Sequence, residues 1–320
     1  MERQRDELVM TVWLARQPST IGKYALEIRQ LKRYCEECKL NLSLPVDSEM
    51  AIKFLLHRKS STFSYASVKS AFHALQWINS FVPGLNDAND PLNDRMLSKV
   101  LENAQRNCPA VKNQKLPLTA DMVKNLIIKL SPKFKFEEYR DVLAISLAYT
   151  LLLRHDEFSK ICCDHLTDLE KGVKVFIPCS KTDQFRGGNT VFLSNQHSGV
   201  SVFKLLKNYM RNLDLNFGDK KFLFPYIDSR AKNPTLDWNK PLAYSQYLLI
   251  FKFRVASLGL DPTFYGTHSA RAGGATTLAE HVSTFELLLA GRWRDERSIR
   301  NYVEVKEDRR WQMNNHLSVF

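Results

Sequence analysis

The sequence lacks the features that would mark a membrane protein or a nucleotide-dependent enzyme. It contains no run of about 18 apolar residues, which argues against a membrane span. Its 12 glycines form no Walker or Rossmann pattern, so no nucleotide cofactor is predicted. The first residues are charged and have no apolar core, and we therefore expect no signal peptide.

Cysteine is too scarce and too scattered to predict a metal centre. Of the six cysteines, only Cys35 and Cys38 have the spacing of paired zinc ligands, and no second pair completes a set of four. We expect free thiols in a reducing compartment. The carboxylate cluster of two-metal nucleases is also missing, so the sequence predicts neither a metal nor another cofactor.

What the sequence does contain is a basic excess spread along its length. Lysine and arginine number 46 against 34 acidic residues, a net charge of +12. Residues 1–112 carry 16 basic and 12 acidic side chains, a net of +4, and the remaining residues carry 30 and 22, a net of +8. This distribution indicates a polyanionic partner such as DNA or RNA, although a merely basic soluble protein has the same composition.

The apolar periodicity predicts two domains that are mainly α-helical with one small β-sheet. The first domain, residues 1–112, is predicted to be all-helical, with helices over 20–38, 48–58, 65–81 and 93–106. Residues 107–118 lack periodicity and contain two prolines, which places the domain boundary at about residue 113.

The second domain, residues 113–320, is predicted to be α+β. A β-hairpin or a small sheet with a long polar turn is expected from Val173–Ile177 and Thr190–Leu193. Helices are predicted at about 119–130, 137–152, 200–212, 244–258, 270–281, 284–290 and 295–303.

Two arginine motifs in this domain are candidates for binding an anion. His268 and Arg271 lie three residues apart at a helix N-terminus, which itself favours negative charge. Arg154 ends an apolar run that is predicted to be a buried helix, and it therefore needs an anionic partner. The simplest partners are Asp156 and Glu157, and neither motif is specific alone.

Three further residues are candidates for a functional role only because of their order along the chain. Lys181 lies in the polar hairpin turn, where a lysine is normally a solvated charge. Trp293 lies nine residues before Tyr302, and Tyr302 is predicted on a late amphipathic helix, where tyrosine normally packs in a core.

Taken in order, the series Arg, Lys, His-x-x-Arg, Trp and Tyr resembles the catalytic set of the tyrosine recombinases, or phage-integrase family. The resemblance covers about residues 115–310, and it is especially similar to the Cre-like members in HSARAGGATTLAEH and LLLAGRWRDERSIRNYVE. The Ser-Lys-Thr-Asp-Gln string resembles the eukaryotic crypton-type branch. The helical first half resembles the family's core-binding, DNA-binding domain.

The resemblance implies a site-specific recombinase or integrase that cuts and rejoins DNA through a covalent 3′-phosphotyrosine. Tyr302 would be the nucleophile, and Arg154 and Arg271 would bind the non-bridging phosphate oxygens. Neither metal nor ATP is needed, because the phosphotyrosine keeps the energy of the phosphodiester.

The resemblance assigns supporting roles to the other four positions. His268 is the candidate general base, and Lys181 is the candidate general acid for the leaving 5′ oxygen. Glu157 occupies the acidic position of the family and would orient neighbouring groups. Trp293 would donate its indole N–H or position the tyrosine.

The implied partners are double-stranded DNA and further copies of the chain, a dimer on each site and a homotetramer during exchange. The tail beyond Tyr302 would dock on a neighbouring subunit, and packing on its own subunit is the alternative. The expected compartment is the nucleus of a eukaryote, or the cytoplasm or nucleoid of a bacterium or phage-infected cell. A type IB topoisomerase and a domesticated, non-cutting DNA-binding protein remain alternatives, and the target sequence cannot be read from the chain.

Overall fold

The computed structural model describes residues 17–108, 115–180, 187–196, 199–228, 235–300 and 302–303. The chain divides between residues 113 and 114 into two compact units. Its elements are mainly helices with two small sheets, which confirms the predicted fold class. Among the described residues, no helix combines the length and the apolarity needed to cross a membrane.

The first unit is built from four helices. They are α1 (Pro18–Glu37), α2 (Ser48–Thr62), α3 (Tyr65–Asn79) and α4 (Arg95–Asn107). The helix α1 begins two residues earlier than predicted, because a proline is favoured in the first turn of a helix. The helix α3 packs against α1 and α2, and all four helices bury side chains in one core that includes Leu31, Phe54, Leu75 and Leu97.

The second unit contains the remaining helices and both sheets. Its helices are α5 (Ala120–Ile128), α6 (Phe136–Thr150), α7 (His155–Phe158), α8 (Val202–Asn212), α9 (Tyr244–Ala256), α10 (Ser269–Leu278), α11 (Thr284–Gly291) and α12 (Glu296–Ile299). Its strands are β1 (Leu166–Leu169), β2 (Gly172–Ile177), β3 (Asn189–Ser194), β4 (Pro225–Asp228) and β5 (Thr235–Pro241).

The helix α6 is the central element of the second unit. It is buried without interruption from Tyr139 to Ala148, and α5, α8, α9 and α10 pack against it. Its one buried carboxylate, Asp141, accepts hydrogen bonds from Arg140 and from Arg254 of α9, which compensates its charge. A helix that is covered on all sides holds its end in a fixed place, and the candidate site begins at that end.

The predicted hairpin is present, with β2 and β3 paired antiparallel and Val173 opposite Leu193. Val173, Val175 and Ile177 are buried at alternate positions, as the two-residue period of a strand requires. The strands β1, β4 and β5 were not predicted. They are four to seven residues long and mostly exposed or partly buried, so they lack the apolar alternation that identifies a strand.

Gly274 allows α10 to approach the end of α6. A β-carbon at this position would lie 2.1 Å from the backbone oxygen of Tyr149 and 2.7 Å from the Leu152 side chain. We expect Gly274→Ala to lower the free energy of unfolding by roughly 1–3 kcal/mol, because the backbone must move apart. The matched control is Gly22→Ala on α1, where nothing lies within 4 Å of a new β-carbon and stability should be unchanged or higher. Equal melting curves for the two variants would contradict this packing.

Candidate active site

The site begins at the turn that follows α6. The helix ends at Thr150, earlier than predicted, and Leu152 then takes a φ of 51° in the left-handed region. Only a few per cent of non-glycine residues adopt this conformation, and tertiary contacts must hold it here. The turn places Arg154 at the N-cap of α7, with its side chain only 13% exposed.

Glu157 is the acceptor around which the site is built. Its fully buried carboxylate accepts the backbone N–H of Arg154 at 2.9 Å and the Nη1 of the same residue at 2.7 Å. The simple ion pair that the sequence suggested for Arg154 is therefore present. It does not complete the site, because Glu157 also contacts two arginines from other elements.

Arg271 is the first of these arginines, and it is the largest fully buried side chain in the described chain. Its Nη1 donates to the backbone oxygen of Leu152, and its Nη2 donates to that of Gly291 at 2.6 Å. Its Nη1 also lies 3.6 Å from Glu157. Arg271 thus links the ends of α6 and α11, and this explains how a charged side chain is tolerated in the interior.

Arg292 is the second, and sequence reasoning missed it as a site residue. Its side chain is 6% exposed, and its Nη2 donates to Glu157 at 2.9 Å and to the backbone oxygen of Leu152 at 2.8 Å. Arg292 stands in the Gly-Arg-Trp string, but only Trp293 of that string belongs to the catalytic series that the sequence predicts. An arginine directly after an apolar helix, next to a candidate site, could have been recognised as a further cation.

These groups leave the site with an excess of positive charge. Arg154, Arg271 and Arg292 surround the single carboxylate of Glu157, which gives a net charge of +2. Burial alone would raise the pKa of Glu157, but Arg292 and the other guanidinium groups hold it below its ordinary value. Burial, followed by the charge of Arg154, lowers the pKa of Arg271 to about 10. A second anion would relieve this repulsion.

Trp293 and Tyr302 lie beside the arginines. The guanidinium carbon of Arg271 is 4.8 Å from the Trp293 ring and 5.1 Å from the Tyr302 ring, and the two rings are 5.3 Å apart. Burial would lower the pKa of Arg154, but the charge and hydrogen bond of Glu157, followed by the neighbouring Tyr302, raise it above its ordinary value. Within the described residues, the buried Nε1 of Trp293 and Nε of Arg271 have no hydrogen-bond partner.

The end of the chain near Tyr302 differs from the prediction in one respect. The last described helix, α12, ends at Ile299, and Tyr302 lies in a turn after it instead of within a helix. The backbone N–H of Tyr302 donates to Ile299 at 2.8 Å, and its carbonyl accepts a hydrogen bond from Thr276 of α10 at 3.3 Å. These contacts hold Tyr302 beside α10, the helix that carries Arg271.

His268 and Lys181 complete the set of predicted site residues. His268 is exposed at the N-cap of α10, and its ring centre lies 6.4 Å from that of Tyr302. It does not share the buried environment of Arg271, although the sequence predicted both on one side of the helix. Lys181 and the tail from residue 304 onward lie outside the described residues, so their roles remain predictions.

The arrangement can bind a tetrahedral anion beside a phenol. Buried arginine and indole N–H groups are strong donors to phosphate-like oxygens, and a phenol in contact with them is placed to attack the central atom. Six of the seven predicted residues are described, and all six lie around this one place.

Comparisons with known proteins find relatives of this chain in sequence and in fold. The chain is 24% identical over 228 residues to an integrase/recombinase xerD homolog of Selenomonas ruminantium. The match covers 71% of this chain and 64% of the relative, so the chain matches less than two thirds of that protein. No family model matches the chain.

Solved structures of recombinases have the same fold. The XerH site-specific recombinase, bound to its palindromic difH substrate in a post-cleavage complex, has a TM-score of 0.66 at 18% identity and covers 92% of this chain and 79% of XerH. The Tn1549 transposon integrase with transposon right end DNA has a TM-score of 0.60 at 17% identity, covering 92% and 93%. A lambda integrase dimer bound to a COC′ core site has a TM-score of 0.59 at 15% identity, covering 95% and 75%.

The chain therefore has the fold of these three proteins, a site-specific recombinase and two integrases. The sequence match and the shared fold both agree with the resemblance to the tyrosine recombinase, or integrase, family. The more detailed resemblance to Cre-like and crypton-type members stays a prediction.

Proposed function

We propose that this chain is a site-specific DNA recombinase that cuts and rejoins DNA through a covalent 3′-phosphotyrosine at Tyr302. One observation carries the proposal: the Tyr302 ring lies 5.1 Å from the guanidinium carbon of the buried Arg271, in a cluster that also contains Arg154 and Glu157. A tyrosine with a packing role only would not need a buried cluster with a net charge of +2 beside it. A DNA phosphodiester is an anion that fits such a cluster.

The arginines would act mainly in the transition state. As Tyr302 attacks, negative charge grows on two non-bridging oxygens, which Arg154 and Arg271 would bind while Trp293 donates its free indole N–H. Each preorganised donor of this kind contributes roughly 3–4 kcal/mol to catalysis. Glu157 would hold the arginines in place instead of contacting the substrate.

Proton transfer would use residues outside the arginine cluster. The Tyr302 hydroxyl must lose its proton as it attacks, and the exposed His268 is the candidate base. Lys181 is proposed from the sequence as the acid that protonates the leaving 5′ oxygen. The phosphotyrosine conserves the bond energy, so rejoining is the same reaction in reverse and requires no ATP.

The proposed partners are double-stranded DNA and other copies of the chain. Among the proteins of the same fold, XerH is solved with its difH substrate, Tn1549 integrase with transposon right end DNA, and lambda integrase as a dimer bound to a core site. Exchange between two duplexes needs four strand cuts, which favours a dimer on each site and a tetramer on two sites. The basic excess of both units, +4 and +8, is consistent with a long phosphate footprint.

The test is covalent capture on a nicked suicide substrate. If the proposal is right, the wild-type chain becomes linked to the 3′ phosphate, because the short 5′ product diffuses away before rejoining. A chain that binds the DNA but captures none would instead be a non-cutting DNA-binding protein. A chain that captures DNA yet relaxes supercoils efficiently as a strict monomer would be a type IB topoisomerase.

A further inference from the structure

Arg292 occupies a backbone position that favours glycine. It follows the last residue of α11 with a φ of 54°, and helices that end in this left-handed conformation usually have glycine or asparagine there. Its Nη2 donates to the backbone oxygen of Leu152, which is itself left-handed. Two unfavourable turns are thus joined by a single guanidinium group, and backbone strain of this kind concentrates at functional sites.

The guanidinium of Arg292 is almost fully engaged with the protein. Its Nη1 donates to Ala290 at 3.1 Å and Leu151 at 3.3 Å, and its Nη2 donates to Leu152 at 2.8 Å and Glu157 at 2.9 Å. Within the described residues only its Nε lacks a partner. Bidentate binding of a phosphate requires two free N–H groups that point in the same direction. Arg292 is therefore not a third phosphate-binding arginine.

We propose that Arg292 is a positioning residue: it occupies one oxygen of Glu157 so that Arg271 remains available to bind the scissile phosphate. This inference rests on the proposed function of the same site. The Oε2 of Glu157 lies 2.9 Å from Arg292 but 3.6 Å from Arg271, while its Oε1 lies 2.7 Å from Arg154. Each oxygen of Glu157 therefore lies close to one arginine side chain, and Arg271 is the arginine that lies farthest from the carboxylate.

Removing Arg292 would leave the backbone N–H of Arg154 as the one close donor to Oε2 of Glu157 among the described residues, and Arg271 should then move toward this oxygen. Arg271 is drawn away from the carboxylate by its bonds to Leu152 and Gly291 as well, but Leu152 would lose its second donor at the same time. The phosphate would then compete with Glu157 for Arg271. The expected defect is in cleavage, and DNA affinity should change little, because most phosphate contacts lie elsewhere.

The test is a double-mutant cycle on the full chain, with single-turnover capture on the nicked duplex as the readout. Arg292→Gly suits the left-handed backbone and should fold, and it should slow cleavage by roughly 10-fold or more at saturating DNA. In a Glu157→Gln background the same change should matter less than about 3-fold, because no carboxylate remains to capture Arg271. Arg294→Gly, which removes an equal charge at an exposed position of the same segment, should not reproduce the defect.

The outcomes separate this inference from the proposed function. If wild type captures no DNA, the proposed function fails first. If wild type captures DNA and Arg292→Gly cleaves at the same rate, or if the effects of Arg292→Gly and Glu157→Gln multiply, the positioning role is wrong. Arg292→Gln allows the same double-mutant cycle without introducing a glycine. Its side chain can still donate to Leu152, but it carries no charge to hold Glu157. We therefore expect its effect to be smaller in the Glu157→Gln background as well.

Discussion

Replacing Tyr302 with phenylalanine should lower covalent capture of DNA by roughly four orders of magnitude or more, since it removes the nucleophilic oxygen. The aromatic ring would still pack 5.3 Å from Trp293 and 5.1 Å from the Arg271 guanidinium. Only the hydroxyl group is lost. The variant should therefore fold and bind DNA as wild type does.

The matched control is Tyr209→Phe, which makes the same chemical change in the core of the second unit. The Tyr209 hydroxyl donates to the Leu223 carbonyl at 3.1 Å, and its loss should cost about 1 kcal/mol of stability. Capture by this variant should match wild type. Should Tyr302→Phe capture as much DNA as Tyr209→Phe, another residue is the nucleophile, although the enzyme would still be a strand transferase.

The second large effect is expected for Arg271→Lys, which keeps the positive charge but not the planar guanidinium. We expect the cleavage rate to fall by roughly 10²–10³-fold. Arg271 donates at once to Leu152 and Gly291 through two nitrogens, and the single ammonium of lysine cannot bridge both and still reach a phosphate. Single-turnover capture, corrected for the folded fraction at the assay temperature, measures the effect.

Arg254→Lys is the control for this change. Arg254 donates to Asp141 of α6 through Nε and Nη2 at 2.9 and 2.8 Å, so the change to lysine also removes a two-nitrogen contact, at an ion pair that does not include Glu157. Its melting temperature should fall, while the folded protein should cleave at the wild-type rate. If both lysine variants cleave equally well, the guanidinium of Arg271 has no role in the reaction.

The order of residues along the chain predicted most of the site, because that order is independent of how each side chain is buried. Arg154, Arg271, Trp293 and Tyr302 lie together as the resemblance implied. Burial itself was not predictable. An arginine with no exposure, such as Arg271, is stable only through carbonyl acceptors from two other elements, and those acceptors are not adjacent in sequence.

The turns at the site were the least predictable part. Apolar residues continue from α6 through Leu153, so periodicity alone extends the helix beyond Thr150. The helix stops because Leu152 turns left-handed and offers its carbonyl to Arg271 and Arg292, which are more than a hundred residues away. Local propensity favours neither Leu152 nor Arg292 in such a conformation, and tertiary contacts override it.

The central claim is that Tyr302 becomes covalently bonded to DNA. The most direct measurement is mass spectrometry of the peptide that remains linked to the oligonucleotide after capture on the nicked duplex and proteolysis. The account predicts one modified peptide, with the 3′ phosphate on the oxygen of Tyr302. A linkage to any other residue, or a chain that binds the duplex and yields no linked peptide at all, would contradict it.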